Sequence, residues 1–302
     1  GLAGRFFRQS VTIAALAVLI LLLGFSLLGA RVTGHGYGDV CCPASHPPSL
    51  SFPMGTDEIG RDVLSRVSRG IQRSVVVGVL VGTISTLVGV SVGALAGYFR
   101  GWADELIARS IDLFLIIPEL AVLLVLANRG RSQRDNWLLV SLTISLVSWP
   151  VIARITRGVC LSIRQAGYVE AARAAGASDR RIIARHVLPN AAGPIIVAAT
   201  LGVSWAILGV AALGFLGFGP TRPDVSLGTL VESGMGSVGP RPWLFYGPGI
   251  VLLLICLSVN FVGDCLRDAL DSHTDRRRRS TGRGSERSGD AEGGWPVLAA
   301  RD

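Results

Sequence analysis

The chain of 302 residues is 50% hydrophobic and only 17% charged, with 38 glycines, too apolar for an ordinary water-soluble domain. All 29 positions in its Lys+Arg total are arginine. This excludes a Walker A phosphate loop, a Schiff-base lysine and a pyridoxal-phosphate site, whose ammonium group arginine does not replace. Any ATP chemistry therefore belongs to another chain, and the formal net charge of +8 points to orientation in a bilayer rather than to nucleic acid.

A helix crossing about 30 Å of hydrocarbon needs about 20 predominantly apolar residues, and six windows qualify. Ile13 to Ala30 is uncharged and follows Arg5 and Arg8. It has the outline of a signal peptide but no evident small-residue cleavage site, so it is read as a retained first span. Arg73 and Arg100 bracket the second window. Within it Gly78 and Gly82, then Gly89, Gly93 and Gly97, repeat at the spacing that lets another backbone approach closely. Leu113 to Asn128, interrupted only by Glu119, is the third, and Asn136 to Ala153 the fourth. The fifth lies between His186 and Arg222, its helix expected to begin just after Pro189 and Pro194. Arg241 and Asp264 enclose the sixth.

With both termini inside, the inner segments carry more arginines than the outer ones, as the positive-inside rule requires. The expected organisation is all-α and polytopic. Residues 1–12 form an inner N-terminus, 13–30 the first span and 31–73 an outer loop. A core with five further spans occupies 74–271, and a structureless Arg-, Ser- and Gly-rich inner tail occupies 272–302. The Arg276–Arg279 run in that tail reads as a contact for anionic lipid or an orientation signal.

The most informative segment is the inner loop 157–190 between spans four and five, which contains YVEAARAAGASDRRIIARHVLPN from Tyr168 to Asn190. Its composition predicts a short helix over 167–175 stopped by Gly176. A second helix is capped by Ser178, with Ile183 and Val187 paired at i, i+4, and closed by Pro189. Two short helices with an alanine-rich surface form a knob that fits a partner's groove. An amphipathic hairpin on lipid headgroups is the other reading of the same pattern.

Here the chain resembles the ATP-binding-cassette importer permeases. The EAA triplet Glu170, Ala171 and Ala172 is followed by Gly176, Ile183, Leu188, Pro189 and Asn190, as in the EAA loop of that family. GTDEIGRDVLSR (Gly55 to Arg66), GALAGYFRGWAD (Gly93 to Asp104), RSIDLFLIIP (Arg109 to Pro118), SWPVIAR (Ser148 to Arg154), AALGFLGFG (Ala211 to Gly219) and GDCLRDALD (Gly263 to Asp271) are similar to its dipeptide/oligopeptide branch. The nickel-importer permeases are near relatives.

The resemblance implies a type I importer permease fold in a bacterial plasma (inner) membrane. The chain would form half of a pathway for short peptides, with nickel or another chelated ligand as the alternative. It further implies a second, homologous permease, two ATPases that hold the ATP and Mg, and an external substrate-binding protein. No cofactor, metal site or catalytic residue is expected in this chain. Glu170, Ala171, Ala172, Gly176, Ile183, His186, Leu188 and Pro189 carry over as ATPase-coupling residues. Glu119 and Ser204 are candidates along the substrate pathway that the resemblance does not supply. Val210, Leu227 and Glu119 depart from the family's usual Glu, Trp and small hydroxyl residue.

Glu119 is expected near the middle of the third span, where an ionised carboxylate must be paired, hydrated or protonated. It is either a substrate contact or a structural acid bonded to a neighbouring helix. Arg109 and Asp112, at i, i+3, are expected to form a local ion pair. His35, Cys41, Cys42 and His46 share the outer loop at a spacing that matches no standard metal motif, and a vicinal disulfide or plain loop residues account for them better. A membrane-embedded hydrolase would need a nucleophile and base within the spans, where none of the four histidines falls. A passive channel lacks an evident filter signature.

Overall fold

The structure, a computed structural model, describes residues 2–99, 101–129, 137–220 and 223–289. Its helices are α1 (Leu2–Thr33), α2 (Val63–Phe99), α3 (Trp102–Ile116), α4 (Glu119–Arg129), α5 (Trp137–Arg164), α6 (Gly167–Ala174), α7 (Asp179–Ile182), α8 (Leu188–Leu213), α9 (Leu227–Met235) and α10 (Trp243–Gly289). Among the described residues five helical segments are long and apolar enough to cross a membrane, and α3 with α4 makes a sixth span bent by 76°.

α2 is the central element, packed against α5 on one side and α8 on another, while α10 joins α8, α1 and α9. It starts at Val63, well before the charge-free window, because the Asp62 carboxylate accepts from the backbone N–H groups of Leu64 (3.2 Å) and Ser65 (3.1 Å) and caps it. Lipid is as apolar as a protein core, so mid-membrane burial gains little transfer free energy and close packing decides which helices adhere. The α2 glycines serve that packing. A Cβ at Gly89 would stand 2.8 Å from Cβ of Ile152 and 2.9 Å from the Trp149 carbonyl. At Gly93 and Gly97 it would meet the carbonyls of Ala153 and Arg157. Gly78 and Gly82 receive Ile207 and Val203 of α8 in the same way.

Three apolar clusters stack along the bundle. The one nearest the start of α2 gathers Val67, Ile71, Ile207, Leu227, Leu230 and Ile255. The middle one holds Val77, Val81, Leu123, Ile144 and Val210, and the one nearest the end of α2 Ala94, Tyr98, Val169, Ile182 and Val187. Val210 and Leu227, two of the departures from the family pattern, are thus core residues. Large apolar side chains such as Leu21, Ile116, Trp205 and Leu253 are exposed, as expected of surfaces that meet lipid or other membrane helices.

A charged cap closes the end of the bundle at which α2 starts. Asp57 accepts from the Arg61 backbone N–H (2.8 Å), Arg61 Nε (2.7 Å) and Arg66 Nη1 (2.8 Å), all three residues being buried. Asp224 takes Arg69 Nε (2.9 Å) and Arg73 Nη2 (2.5 Å). Burial raises both carboxyls, but the arginine hydrogen bonds and charges outweigh it and hold Asp57 and Asp224 below the usual carboxylate range. Asp62 goes the other way, raised by burial. Arg241 (to Ser45, 2.7 Å) and Trp243 (to the Thr56 carbonyl, 3.2 Å) tie the 34–62 loop to the start of α10.

Several expectations are corrected. The fifth span does not begin after its prolines. Helix runs from Asp179 through Pro189 and Pro194 to Leu213, with a wide π turn at Ile183–Val187. Proline lacks the N–H for an i→i−4 bond and its ring crowds that carbonyl, and a widened turn just before Pro189 relieves both problems. Pro189 therefore does not close the second loop helix, and Ile183 and Val187 span that turn rather than a regular α-helical one. The third window is broken at Ile117–Pro118, since the residue before proline is forced to extended backbone (Ile117 ψ 128°). The backbone of α10 continues as helix to Gly289 where a structureless tail was expected from 272, because extending an established helix avoids the cost of nucleation. Residues 290–302 lie outside the described residues.

Candidate functional site

At the opposite end of the bundle, where α2 finishes, α5 stops at Arg164 and the chain turns into α6 through extended Ala166 (ψ 137°). α6 ends as foreseen. Gly176, at φ +82°, donates to the Arg173 carbonyl (3.0 Å) and Ala177 to the Ala172 carbonyl (3.1 Å), the paired bonds of a Schellman motif. Ser178 has the extended backbone of an N-cap but makes no side-chain cap bond.

Glu170, Ala171, Gly176 and Pro189 are exposed, Ala172, Ile183, His186 and Leu188 half-buried. Together they form a knob whose underside, Val169, Ile182 and Val187, is buried against Ala94, Tyr98 and Cys160 of α2 and α5. The His186 ring leans on Tyr168 with centroids 6.4 Å apart.

Tyr98, a residue the sequence did not single out, locks this seat. Only 2% exposed, it donates its hydroxyl to Asp179 Oδ1 at 2.5 Å and accepts from Arg173 Nη2 at 3.4 Å. Its carbonyl accepts from Arg164, and the Arg164 and Arg173 guanidiniums lie 5.6 and 5.9 Å from its ring centroid. One side chain at the C-terminal end of α2 therefore touches α5, α6 and α7. No local spacing signals this, because Tyr98 and Asp179 are 81 residues apart in sequence.

A second group follows the seam between the bent α3–α4 pair and α5. Asp104 takes Arg157 in a two-point bond (2.5 and 3.0 Å). Asp112 pairs with Arg154, not with Arg109 as expected, because α5 brings a guanidinium across the seam. Phe114 and Trp149 meet edge to face with centroids 5.5 Å apart. Glu119, the first residue of α4 rather than the middle of a straight span, is exposed and accepts from Ser148 Oγ at 3.0 Å. Ser204 is buried in α8, its Oγ without a hydrogen-bond partner among the described residues, and no hydrogen bond joins it to Glu119.

At the end of the bundle where α2 starts, Cys41 and Cys42 are joined as a vicinal disulfide, and both backbone N–H groups donate to the Gly60 carbonyl (3.2 and 3.1 Å). His35 Nδ1 or Nε2 lies within 4.8 Å of both sulfurs, but these are bonded to each other, while His46 Nδ1 contacts the Pro47 carbonyl at 2.8 Å instead. A cavity of about 500 Å³ opens beside the cap between Glu58, Glu232, Gly217 and Pro248.

Residues 89–276 match the family described as the binding-protein-dependent transport system inner membrane component. The oligopeptide transport system permease protein OppC of Mycobacterium tuberculosis is 39% identical over 276 residues, covering 91% of this chain and 94% of that protein. The dipeptide transport system permease protein DppC of Alkalihalophilus pseudofirmus is 34% identical, with coverage of 87% and 86%. The probable D,D-dipeptide transport system permease protein DdpC of Escherichia coli is 36% identical, with coverage of 86% and 87%. Among solved structures, a chain of the inward-facing MetNI methionine ABC transporter shares the fold. Its TM-score is 0.57 at 23% identity, covering 68% of this chain and 95% of that one.

Proposed function

Since the chain belongs to the family of binding-protein-dependent transport inner-membrane components, we infer that it is a membrane-spanning permease subunit of an ATP-driven importer, lining half of a pathway for short peptides. The chain is a multi-pass membrane protein; we place it in a bacterial plasma membrane with both termini inside. Its partners are a second, homologous permease, two ATPase subunits and an outer substrate-binding protein, with ATP and Mg held by the ATPases. Short peptides are the proposed substrate because OppC, DppC and DdpC carry that substrate in their names.

The observation that carries the reading is the knob 167–190, which presents Glu170, Ala171 and Ala172 outward while its underside is fixed to α2 and α5. Glu170, Ala171, Ala172, Gly176, Ile183, His186, Leu188 and Pro189 are proposed to meet an ATPase groove. Closure of the ATPases would then push the knob, and α5 and α8, which continue directly from it, would rotate with it as rigid bodies. Glu119, exposed at the break of the third span, is the proposed substrate contact, whereas Ser204 would reach the pathway only after a rearrangement of α8.

The test is co-expression with the candidate ATPases, permease and binding protein, followed by purification through a tag on this chain. Two ATPase chains should co-purify, and vesicles containing the assembly should take up di- and tripeptides only with ATP. Purification without ATPases, or ATP-independent uptake, would refute the reading.

A further inference from the structure

Reading outward from the inner face, the α3–α4/α5 seam runs Asp104 with Arg157, Asp112 with Arg154, Phe114 with Trp149, and Glu119 with Ser148. The order is antiparallel, so these contacts follow one another along a single helix–helix seam. The first two steps pair a carboxylate with a guanidinium. At the last step Glu119 meets only a hydroxyl among its described bonds. A carboxylate within a membrane-spanning segment is costly unless it is paired, hydrated or protonated, and a cationic ligand is one such partner.

We propose that this seam is a subsite for a short zwitterionic peptide, Glu119 receiving its terminal ammonium, Arg154 its terminal carboxylate, and Phe114 with Trp149 a side chain in between. The proposal rests on the peptide-permease reading above.

Arg154 supplies the second pole because only its Nη2 is engaged by Asp112, and the pair is open: Arg154 is 57% and Asp112 49% exposed. A guanidinium presents five donors in a planar fork and binds a carboxylate through two of them, so a peptide terminus can bind beside Asp112 without displacing it. Phe114 is itself 39% exposed, so the aromatic pair offers surface to a ligand as well as to itself. Arg157 makes a poorer pole, since Asp104 already occupies its fork at two points.

The spacing selects length. Ser148, which marks the Glu119 end, and Arg154 are six positions apart on α5, about 9 Å along the axis. An extended dipeptide covers about 7 Å and a tripeptide about 10 Å, lengths comparable with that rise. A pentapeptide, at about 17 Å, exceeds it while extended.

The experiment uses the full assembly in proteoliposomes, with the binding protein saturated by peptide. Uptake of free, C-amidated and N-acetylated tripeptides is compared for wild type, Arg154→Gln and Glu119→Gln. Dividing each variant's free-to-blocked ratio by that of wild type cancels the binding protein's own preference. Arg154→Gln should lower the ratio for amidation about tenfold and leave that for acetylation unchanged, and Glu119→Gln the reverse, because each removes one charge-assisted contact. For pentapeptides both ratios should stay within about twofold of wild type. Unchanged ratios in both variants, with peptide still taken up, would overturn the subsite and leave the permease reading intact. Absence of ATP-driven peptide uptake by wild type would instead overturn the permease reading and this subsite with it. Failure of Arg154→Gln and Arg154→Lys alike to assemble would assign the Asp112–Arg154 pair to the scaffold and also overturn the proposal.

Discussion

At Gly176 the backbone stands at φ +82° and a Cβ would meet nothing within 4 Å, so any penalty for a side chain there is conformational and not steric. Gly176→Val should weaken the knob by about 1–2 kcal/mol, the cost of left-handed backbone for a residue with a Cβ, and more for its β-branch. Gly176→Asn should be close to neutral, because asparagine tolerates that region. Binding-protein-stimulated ATPase activity in vesicles is the readout. Equal activity of the valine and asparagine variants would show that the turn geometry is irrelevant to coupling. Gly176 was legible in the sequence because a helix stop is a local signal. Tyr98 was not, since its role exists only once α2 and α7 have met. Tyr98→Phe keeps the buried ring and loses the 2.5 Å bond to Asp179, a loss of about 1 kcal/mol or somewhat more, given the charged acceptor. Assembly should survive while peptide transported per ATP falls severalfold. An unchanged ratio of transport to hydrolysis would reduce Tyr98 to a packing residue.

Among the elements, the α2–α5 contact is the most sensitive to volume. Gly89→Ala places a methyl 2.8 Å from Ile152 and 2.9 Å from the Trp149 carbonyl, and backbone does not yield as a flexible side chain does. The expected loss is about 1–3 kcal/mol, read as a lower unfolding temperature in detergent. Gly24→Ala on α1 and Gly158→Ala on α5, with nothing within 4 Å, should match wild type. The cap built on Asp57 and Asp224 has its own signature. Because Asp57 and Asp224 are held below their usual range, they stabilise the fold fully above the unfolded carboxylate value of about 3.9. That contribution is lost as pH falls from there through the lower folded values. Asp62, shifted upward, has the opposite slope. The protection of amides over 55–73, taken relative to their intrinsic exchange rates at each pH, should therefore fall below about pH 4, and Asp57→Asn should flatten that acid response. Protection in the variant that still tracks pH as in wild type would argue against the cap. The glycine period announced the α2 packing face because it repeats within one helix. The wide turn at Ile183–Val187 and the break at Pro118 were misjudged for a common reason: proline states that a regular turn is impossible but not whether the chain will stop, widen or bend, and only the neighbouring helices decide that.

For the molecule as a whole, sidedness follows from α2. Its 37 residues extend about 55 Å, longer than the hydrocarbon core, so its ends emerge on opposite faces. The N-terminal end carries the Asp57 cap and the 34–62 loop, which Arg241 and Trp243 bind to the start of α10. The C-terminal end carries Tyr98 and, seated on it, the coupling knob. If the knob meets ATPases inside, that loop must be outside, and with six crossings, counting bent α3–α4 as one, both termini return to the inner face. On a cysteine-free background, His46→Cys should react with an impermeant maleimide added to intact cells, since residue 46 is half-buried rather than enclosed. Ala174→Cys, exposed on the knob, should react only after permeabilisation. The opposite pattern would invert the topology and remove the knob from the ATPases. Labelling of both positions from one side would mean that α2 does not cross the membrane, contradicting the fold itself.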